Sequence, residues 1–352
     1  MHAKIIKSHV PVSAVYLLTY GGGLVDGDAI VIKVTVKSQA RLQLLTQAST
    51  KVYKRRPMES SHTMPSDFNL KACVCGDLIE SPTGCEALPW LSEIVQVTDI
   101  AELGVIQQLH AHIEQRAMLC LLPEPVCVFA DASFRQTQVI DLDLGTTFHD
   151  WASLVLLDWY TSGRKLFGEH WDFFKLESTN EIWYRDCNGS GTLHRSLLLR
   201  DCTLLDEHGR SFGSSLSFSG AQYDCYAVIY LIGPLARRQA HDMLKLGASV
   251  KIGGFPTTEK MHKLLTSSSD CLWSVSSLDY YSKKVNCGGA CWHCLKSPMR
   301  ISAASQFENE CSFGAVVRLA ARDVHTARRF LNEIVLVGLD DELSENLFSR
   351  CL

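Results

Sequence analysis

Residues 29–37 read AIVIKVTVK, with Ile30, Ile32, Val34 and Val36 on one face of a period-two pattern and Val31, Lys33, Thr35 and Lys37 on the other. That is the pattern of a half-buried strand, and it constrains the glycine-rich run just before it, YGGGLVDGD at residues 20–28. A glycine loop that cradles phosphate has to open a helix whose first amides meet the anion. Here Gly21, Gly22 and Gly23 lead into a strand. The run is therefore expected to be the rim of a β-hairpin, with Asp26-Gly27 as the tight turn and Asp28 carried on the rim.

Short β-branched or aromatic runs bounded by turn residues recur at 15–20, 29–37, 42–47, 121–130, 154–159, 171–176, 197–205 and 223–232. They predict a mainly β protein. Two helices are expected beside them. Pro234 suits the first turn of LARRQAHDMLKL, with Gly247 as its stop, and Asp323 suits the N-cap of VHTARRFLNEIVLV, with Gly338 beyond its end. Residues 55–103, rich in Ser, Pro, Glu and Cys, and residues 282–310 break the pattern and read as excursions from one domain spanning 1–352.

The 34 basic and 38 acidic residues leave a net charge of -4, and no basic stripe alternates with aromatics, so nothing points to a nucleic-acid surface. No apolar run reaches the roughly 18 to 20 residues that a bilayer-spanning helix needs. Lys4 and Lys7 precede an apolar stretch, but Pro11, Ser13 and Thr19 interrupt it, which favours a buried strand over a leader. The 14 cysteines are scattered through core-like sequence, as at Cys120, Cys127, Cys202 and Cys225. Free, buried thiols and a reducing, cytoplasmic setting are expected.

Ser49 and Lys51 lie two apart on one strand, without the strand-to-helix elbow that exposes a serine nucleophile. Asp158, Arg164 and Glu169 flank a turn containing Gly163 and are expected to converge at one sheet end, where they can hold a hard divalent cation or form an ion-pair network. Glu124 sits between Pro123 and Pro125, which stiffen an edge or bulge and leave a solvated charge. His110 and His112 share a strand face without an evident third ligand. Cys287, Cys291, His293 and Cys294 supply four soft ligands in a glycine-bearing loop, as a zinc or nickel site or as bystanders.

Five stretches taken together resemble the UreD (UreH) family of urease accessory proteins. They are the glycine run at 18–28, LLTQASTKVYK at 44–54, LLPEPVCVFADASFRQ at 121–136, SLVLLDWYTSGRKLFGEHWDFF at 153–174 and, more weakly, GAVVRLAARDVHTARRFL near the C-terminus. The matching positions include Gly21, Gly22, Gly23, Lys51, Tyr53, Pro123, Pro125, Trp159, Gly163, Arg164, Gly168 and Trp171. The resemblance implies a non-catalytic, elongated β scaffold with stacked, helix-like sheets and a few helices. It also implies binding to urease apoprotein with UreF and the GTPase UreG, and transient nickel passage without a tightly bound cofactor. Asp28, Thr50, Asp158 and Glu169 match acidic or hydroxyl positions of the motifs and are the candidates for the nickel route.

This sequence departs from the family in three ways. It starts close to the glycine run, without the strands expected before it, so a sheet edge is expected to lie open. The 55–103 segment is longer than the family's connection, and the Cys287–Cys294 cluster has no counterpart in the motifs. The other readings are a metal-dependent hydrolase using Asp158 and Glu169 with His170 or His194, and a zinc-knuckle interaction protein built on the cysteine cluster.

Overall fold

The computed structural model describes residues 2–7, 12–55, 104–187, 193–206, 223–249, 270–279 and 312–343. Both segments read as excursions, apart from Arg55, lie outside the described residues, as do Cys287, Cys291, His293 and Cys294. The strands are β1 (His2–Lys7), β2 (Val12–Leu18), β3 (Ala29–Val36), β4 (Arg41–Thr46), β5 (Thr50–Val52), β6 (Val105–Ile113), β7 (Met118–Leu121) and β8 (Val126–Val128). They continue with β9 (Ser133–Asp143), β10 (Ser153–Thr161), β11 (Lys175–Cys187), β12 (Leu193–Asp206), β13 (Cys225–Ile232), β14 (Cys271–Asp279) and β15 (Ser312–Ala321). Helix α1 is Arg237–Ser249, α2 is Val324–Phe330 and α3 is Asp340–Leu343.

The described residues are mostly β with few helices, one of them near the C-terminus, and their strands form two sheets. The first runs β1-β2-β4-β7-β10-β13-β15-β14, with β5 and β8 attached beside β10, and the second runs β12-β11-β9-β6-β3. Strands β2, β4, β7 and β10 are parallel, as are β3, β6, β9 and β11. Parallel neighbours cannot be joined by a tight turn, so the chain crosses to the other sheet between them. It alternates β2 to β3, β4 and β5 to β6, β7 and β8 to β9, and β10 to β11. Successive coils therefore stack as expected for a helix-like arrangement of sheets.

This winding corrects the hairpin. Strand β2 pairs with β1 and β4, whereas β3 pairs with β6 in the other sheet. The glycine run is a corner between sheets. Gly21, Gly22 and Gly27 have φ of 79°, 82° and 89°, the left-handed region where a Cβ is penalised. Gly23 is there for close approach: Leu24 N–H donates to Lys51 O at 2.7 Å and Tyr53 N–H donates to Leu24 O at 2.9 Å. A Cβ on Gly23 would lie 2.5 Å from the Tyr53 ring and 2.8 Å from Lys51 O.

The centre of the first sheet is covered on both faces, and β10 there is buried along its whole length. Val155, Leu157 and Trp159 join Met118, Cys120 and Leu122 under α1 and α2, where Ala240, Met243, Ala327 and Phe330 cover them. Leu154 and Leu156 face the second sheet and pack with Ile32, Leu109, Ile140 and Ile182. Ile30, Ile32, Val34 and Val36 do share the inward face of β3, as their spacing predicts.

Other boundaries shift for local reasons. Residues 121–130 are not one strand, because Pro123 and Pro125 separate β7 from β8. The strand expected at 171–176 starts only at Lys175; Trp171 has φ of 58° and belongs to the corner. Strands β1 and β2 both precede the glycine run, so the start is not bare of strands. Helix α1 continues through Gly247 to Ser249, while Asp323 caps α2 as expected, accepting from Thr326 N–H at 2.7 Å. No helix among the described residues is long and apolar enough to cross a membrane.

The Gly23 contact makes a stability prediction. Gly23→Ala must push the Tyr53 ring or the Lys51 backbone aside, and overpacking of this kind costs about 1 to 3 kcal/mol. Urea denaturation should show a lowered midpoint with an unchanged slope; an unaltered midpoint would mean that the corner can open without cost.

Candidate functional site

The interior between the sheets is not uniformly apolar. In-register parallel pairing aligns Ile30, Gln107, Gln136 and Ser178 in one inward row and Ile32, Leu109, Gln138 and Asn180 in the next. These rows become polar toward β9 and β11. They separate the Leu- and Ile-rich cluster around Leu156 from a second apolar cluster built on Leu24, Val52, Val128, Phe134 and Tyr160.

Asp158 reaches into this polar seam from β10. Its side chain accepts from Gln136 Nε2 at 2.9 Å, from Ser178 Oγ at 2.7 Å and from Asn180 Nδ2 at 2.7 Å. Gln107 Nε2 supports Gln136 Oε1 at 3.3 Å. On the other flank, Asn180 contacts the Tyr230 hydroxyl, which donates to Asp201 at 3.0 Å, and Asp201 pairs with Arg318 at 2.7 Å. Burial raises the Asp158 carboxyl above the usual carboxylate range, against the three donors, which favour the ionised form. Burial likewise raises the Tyr230 hydroxyl, which stays a neutral donor.

A cavity of about 40 Å³ opens beside this carboxylate, with room for a very few water-sized molecules. It lies where the first sheet is interrupted. Strand β10 pairs with β7 as far as Leu156–Leu121 and with β8 from Tyr160–Val126 onward, so Leu157, Asp158 and Trp159 border a gap in the ladder. Thr46, Thr50, Glu124, Gln136, Gln138 and Asp158 give the cavity its polar wall. Glu124 is not the solvated edge charge expected between two prolines. Its N–H donates to Thr46 Oγ1 at 2.7 Å, and its carboxylate pairs with Arg328 of α2 at 2.6 Å.

Of the four residues proposed for a route, the structure brings Thr50 and Asp158 to this cavity and places Asp28 and Glu169 at corners of the coils. Asp28 Oδ2 accepts from Val25 N–H at 2.8 Å and so caps its own turn. Glu169 pairs with the Arg164 guanidinium and also accepts from the N–H groups of Arg164 at 3.0 Å and Ala130 at 3.3 Å. The Arg164 hydrogen bond holds the Glu169 carboxyl below its ordinary range. Gly163 permits this fold-back, since a Cβ there would meet Glu169 Oε2 at 2.7 Å, and Gly168 turns with φ of 80°. Arg164 also lies over the Phe129 ring, against which Tyr53 packs edge-on.

Asp158 and Glu169 therefore do not converge: one faces the seam, the other an arginine on the rim. His170 pairs instead with Asp224 at 2.8 Å, and His194 contacts Ser196 at 3.0 Å. His112 pairs with Asp143 at 3.0 Å, and burial lowers the pKa of His110. Among the described residues no three His, Cys, Asp or Glu side chains are placed to hold a metal together. Lys51 is exposed beside Thr50 and offers no elbow for a serine nucleophile. The residues that sequence reasoning missed are Gln107, Gln136, Gln138, Ser178 and Asn180. Their signal is a polar side chain at every second position of a strand that is otherwise apolar on that face.

The family model described as "UreD urease accessory protein" matches residues 3–347. The chain belongs to the UreD family. Urease accessory protein 4 of Cryptococcus neoformans is 27% identical over 357 residues, covering 97% of this chain and 83% of that protein. Urease accessory protein D of Arabidopsis thaliana is 25% identical, covering 94% of this chain and 84% of its own length. The rice protein of the same name (Oryza sativa subsp. indica) is 28% identical over 67% of this chain, which spans 58% of the rice protein. The family match runs through both the corner and the seam, so the UreD assignment covers the coils that position Asp158.

The two carboxylates make opposite pH predictions. The raised folded-state pKa of Asp158 means that its contribution is full below the unfolded carboxylate range and is lost as pH rises through the folded value. Urea midpoints from about pH 4 to about pH 8 should therefore move in favour of Asp158→Asn, relative to the parent, as pH climbs. Glu169, held low, contributes above the unfolded carboxylate range and loses that contribution as pH falls through its folded value. Glu169→Gln should flatten the acid limb of the parent curve; parallel curves for parent and variant would remove this assignment.

Proposed function

We propose that this chain is a urease maturation factor that acts as a scaffold in the cytoplasm, binding urease apoprotein together with UreF and UreG and letting Ni²⁺ pass through its interior. The observation that carries this reading is the Asp158 carboxylate beside the gap in the first sheet, in a seam lined by oxygen and amide groups. Oxygen ligands hold nickel more weakly than thiolates or imidazoles do, and dispersed ligands let an ion leave as well as enter. Thr50 and Asp158 are the interior steps of the path in this reading, with Asp28 and Glu169 at the rim of the coils. Among the described residues the free thiols Cys120, Cys127, Cys202, Cys225 and Cys271 support a reducing compartment, although only Cys120 and Cys225 are buried; Cys127 and Cys271 are half-buried and Cys202 is exposed.

The exposed apolar and aromatic groups on the corners suit a scaffold that works through protein contacts. Leu166 is 98% exposed and Phe167 78% exposed on the turn that leads to Gly168 and Glu169. Apolar side chains presented this openly are what a binding surface buries.

In a reconstituted system of apo-urease, accessory proteins, nickel and GTP, Asp158→Ala combined with Glu169→Ala should lower the urease activity reached by about tenfold or more, the scale on which loss of metal-orienting groups acts. Size-exclusion chromatography should show the variant still in the complex. Full activation by the double variant would rule out a path through these carboxylates.

A further inference from the structure

Four of the large apolar side chains exposed among the described residues gather on two adjoining corners: Val25 on the glycine corner with Tyr53 beside it, and Leu166 and Phe167 on the turn Lys165–Phe167. The corners are joined through aromatic contacts. Tyr53 packs edge-on against Phe129 at 5.3 Å, and the Arg164 guanidinium lies 4.5 Å from the Phe129 centroid and 5.4 Å from that of Phe167. The turn is also braced from behind. Phe167 N–H donates to Arg164 O at 2.8 Å and Gly168 N–H to Lys165 O at 3.0 Å, Lys165 and His170 both pair with Asp224, and Trp171 Nε1 donates to Tyr223 O at 3.2 Å. A turn tied this well holds its apolar pair out in water, so an incoming partner meets a backbone that is already ordered.

Charge decides what that partner carries. Four carboxylates of these corners are turned inward: Asp28 accepts from Val25 N–H at 2.8 Å, Asp172 accepts from His170 N–H at 2.9 Å, and the side chains of Glu169 and Asp224, each 11% exposed, are matched to Arg164 and Lys165. The cations stand further out. Arg164 is 47% and Lys165 66% exposed, and Lys51 and Lys54 are exposed on either side of Tyr53. We propose that the two corners form one docking surface for an acidic segment of a partner protein, with Phe167 and Leu166 as the apolar anchors and one or two carboxylates of the segment settling against Lys51 and Lys54. This rests on the reading of the chain as a scaffold and names the kind of segment that its corners take. An anionic bilayer fits the surface less well, because polybasic membrane clusters use about four to eight lysines and arginines, and here Arg164 and Lys165 already have carboxylate partners.

The test is a binding titration of the purified full-length protein with apo-urease, UreF and UreG as probes, offered singly and together, at low and at physiological salt. Leu166→Ser combined with Phe167→Ser should weaken binding of one probe by about a hundredfold, the scale of a lost anchor, with an unchanged urea midpoint because both side chains are exposed. Lys51→Glu combined with Lys54→Glu should weaken the same probe by about tenfold at low salt and flatten its salt dependence. A carbodiimide cross-link from Lys51 or Lys54 should map to an aspartate or glutamate of that probe. Tighter binding by the charge-reversed variant would mean a basic partner and would overturn the proposal. So would a dimer of the chain by itself, or retention on phosphatidylserine vesicles, that Leu166→Ser with Phe167→Ser abolishes. Binding unaltered in both double variants sinks the docking surface alone, while a parent chain that captures none of the three probes sinks the scaffold reading and the surface with it.

Discussion

Parallel strands cannot be neighbours in both sequence and space without a crossover, and in this protein the crossover is another strand. Everything else follows from that constraint. Each coil lays one run of chain in the first sheet and the next in the second, so residues far apart in sequence, such as Gln107, Gln136 and Ser178, become rungs of one ladder. The same winding sends the corners to the margins, where Asp28, Arg164 and Glu169 collect. Interior and rim thus inherit different chemistry from the same repeated path.

The polar seam carries an electrostatic cost that the surrounding packing has to hold. A carboxylate taken out of water is destabilised unless donors replace its hydration. Asp158 has Gln136, Ser178 and Asn180, all from the second sheet, and these reach it only because β9 and β11 lie in register across from β10. Apolar clusters above and below the seam keep the sheets at the spacing that these bonds need. Arg318, Asp201 and Tyr230 extend the network to the antiparallel half of the first sheet.

Much of the β character was legible in the amino-acid pattern because alternation is local. Residues 29–37 announce a strand with one buried face, and β3 is that strand. What alternation does not carry is the identity of the neighbour. The Asp26-Gly27 pair reads equally well as a hairpin turn or as a corner between sheets, and the pairing of β2 with β4 decides it. Likewise Asp158 and Glu169, only a turn apart in sequence, were expected to meet; the carboxylate of Glu169 instead folds back onto Arg164. Strand β9 hid its two inward glutamines because polar residues at every second position look like a solvated face. Glu124 gave no hint of Arg328, since 204 residues separate them.

The burial of Asp158 also marks register. In β10 the residues on either side of it, Leu157 and Trp159, face the helices. A slip of β10 by one position would turn the carboxylate into the company of Cys120, Leu122 and Phe330, where no donor row waits for it, and would push an indole or an isobutyl group among the glutamines. The seam therefore works as a keyway: a β ladder has no intrinsic means of counting residues, and this one is indexed by a single charge that fits only one notch.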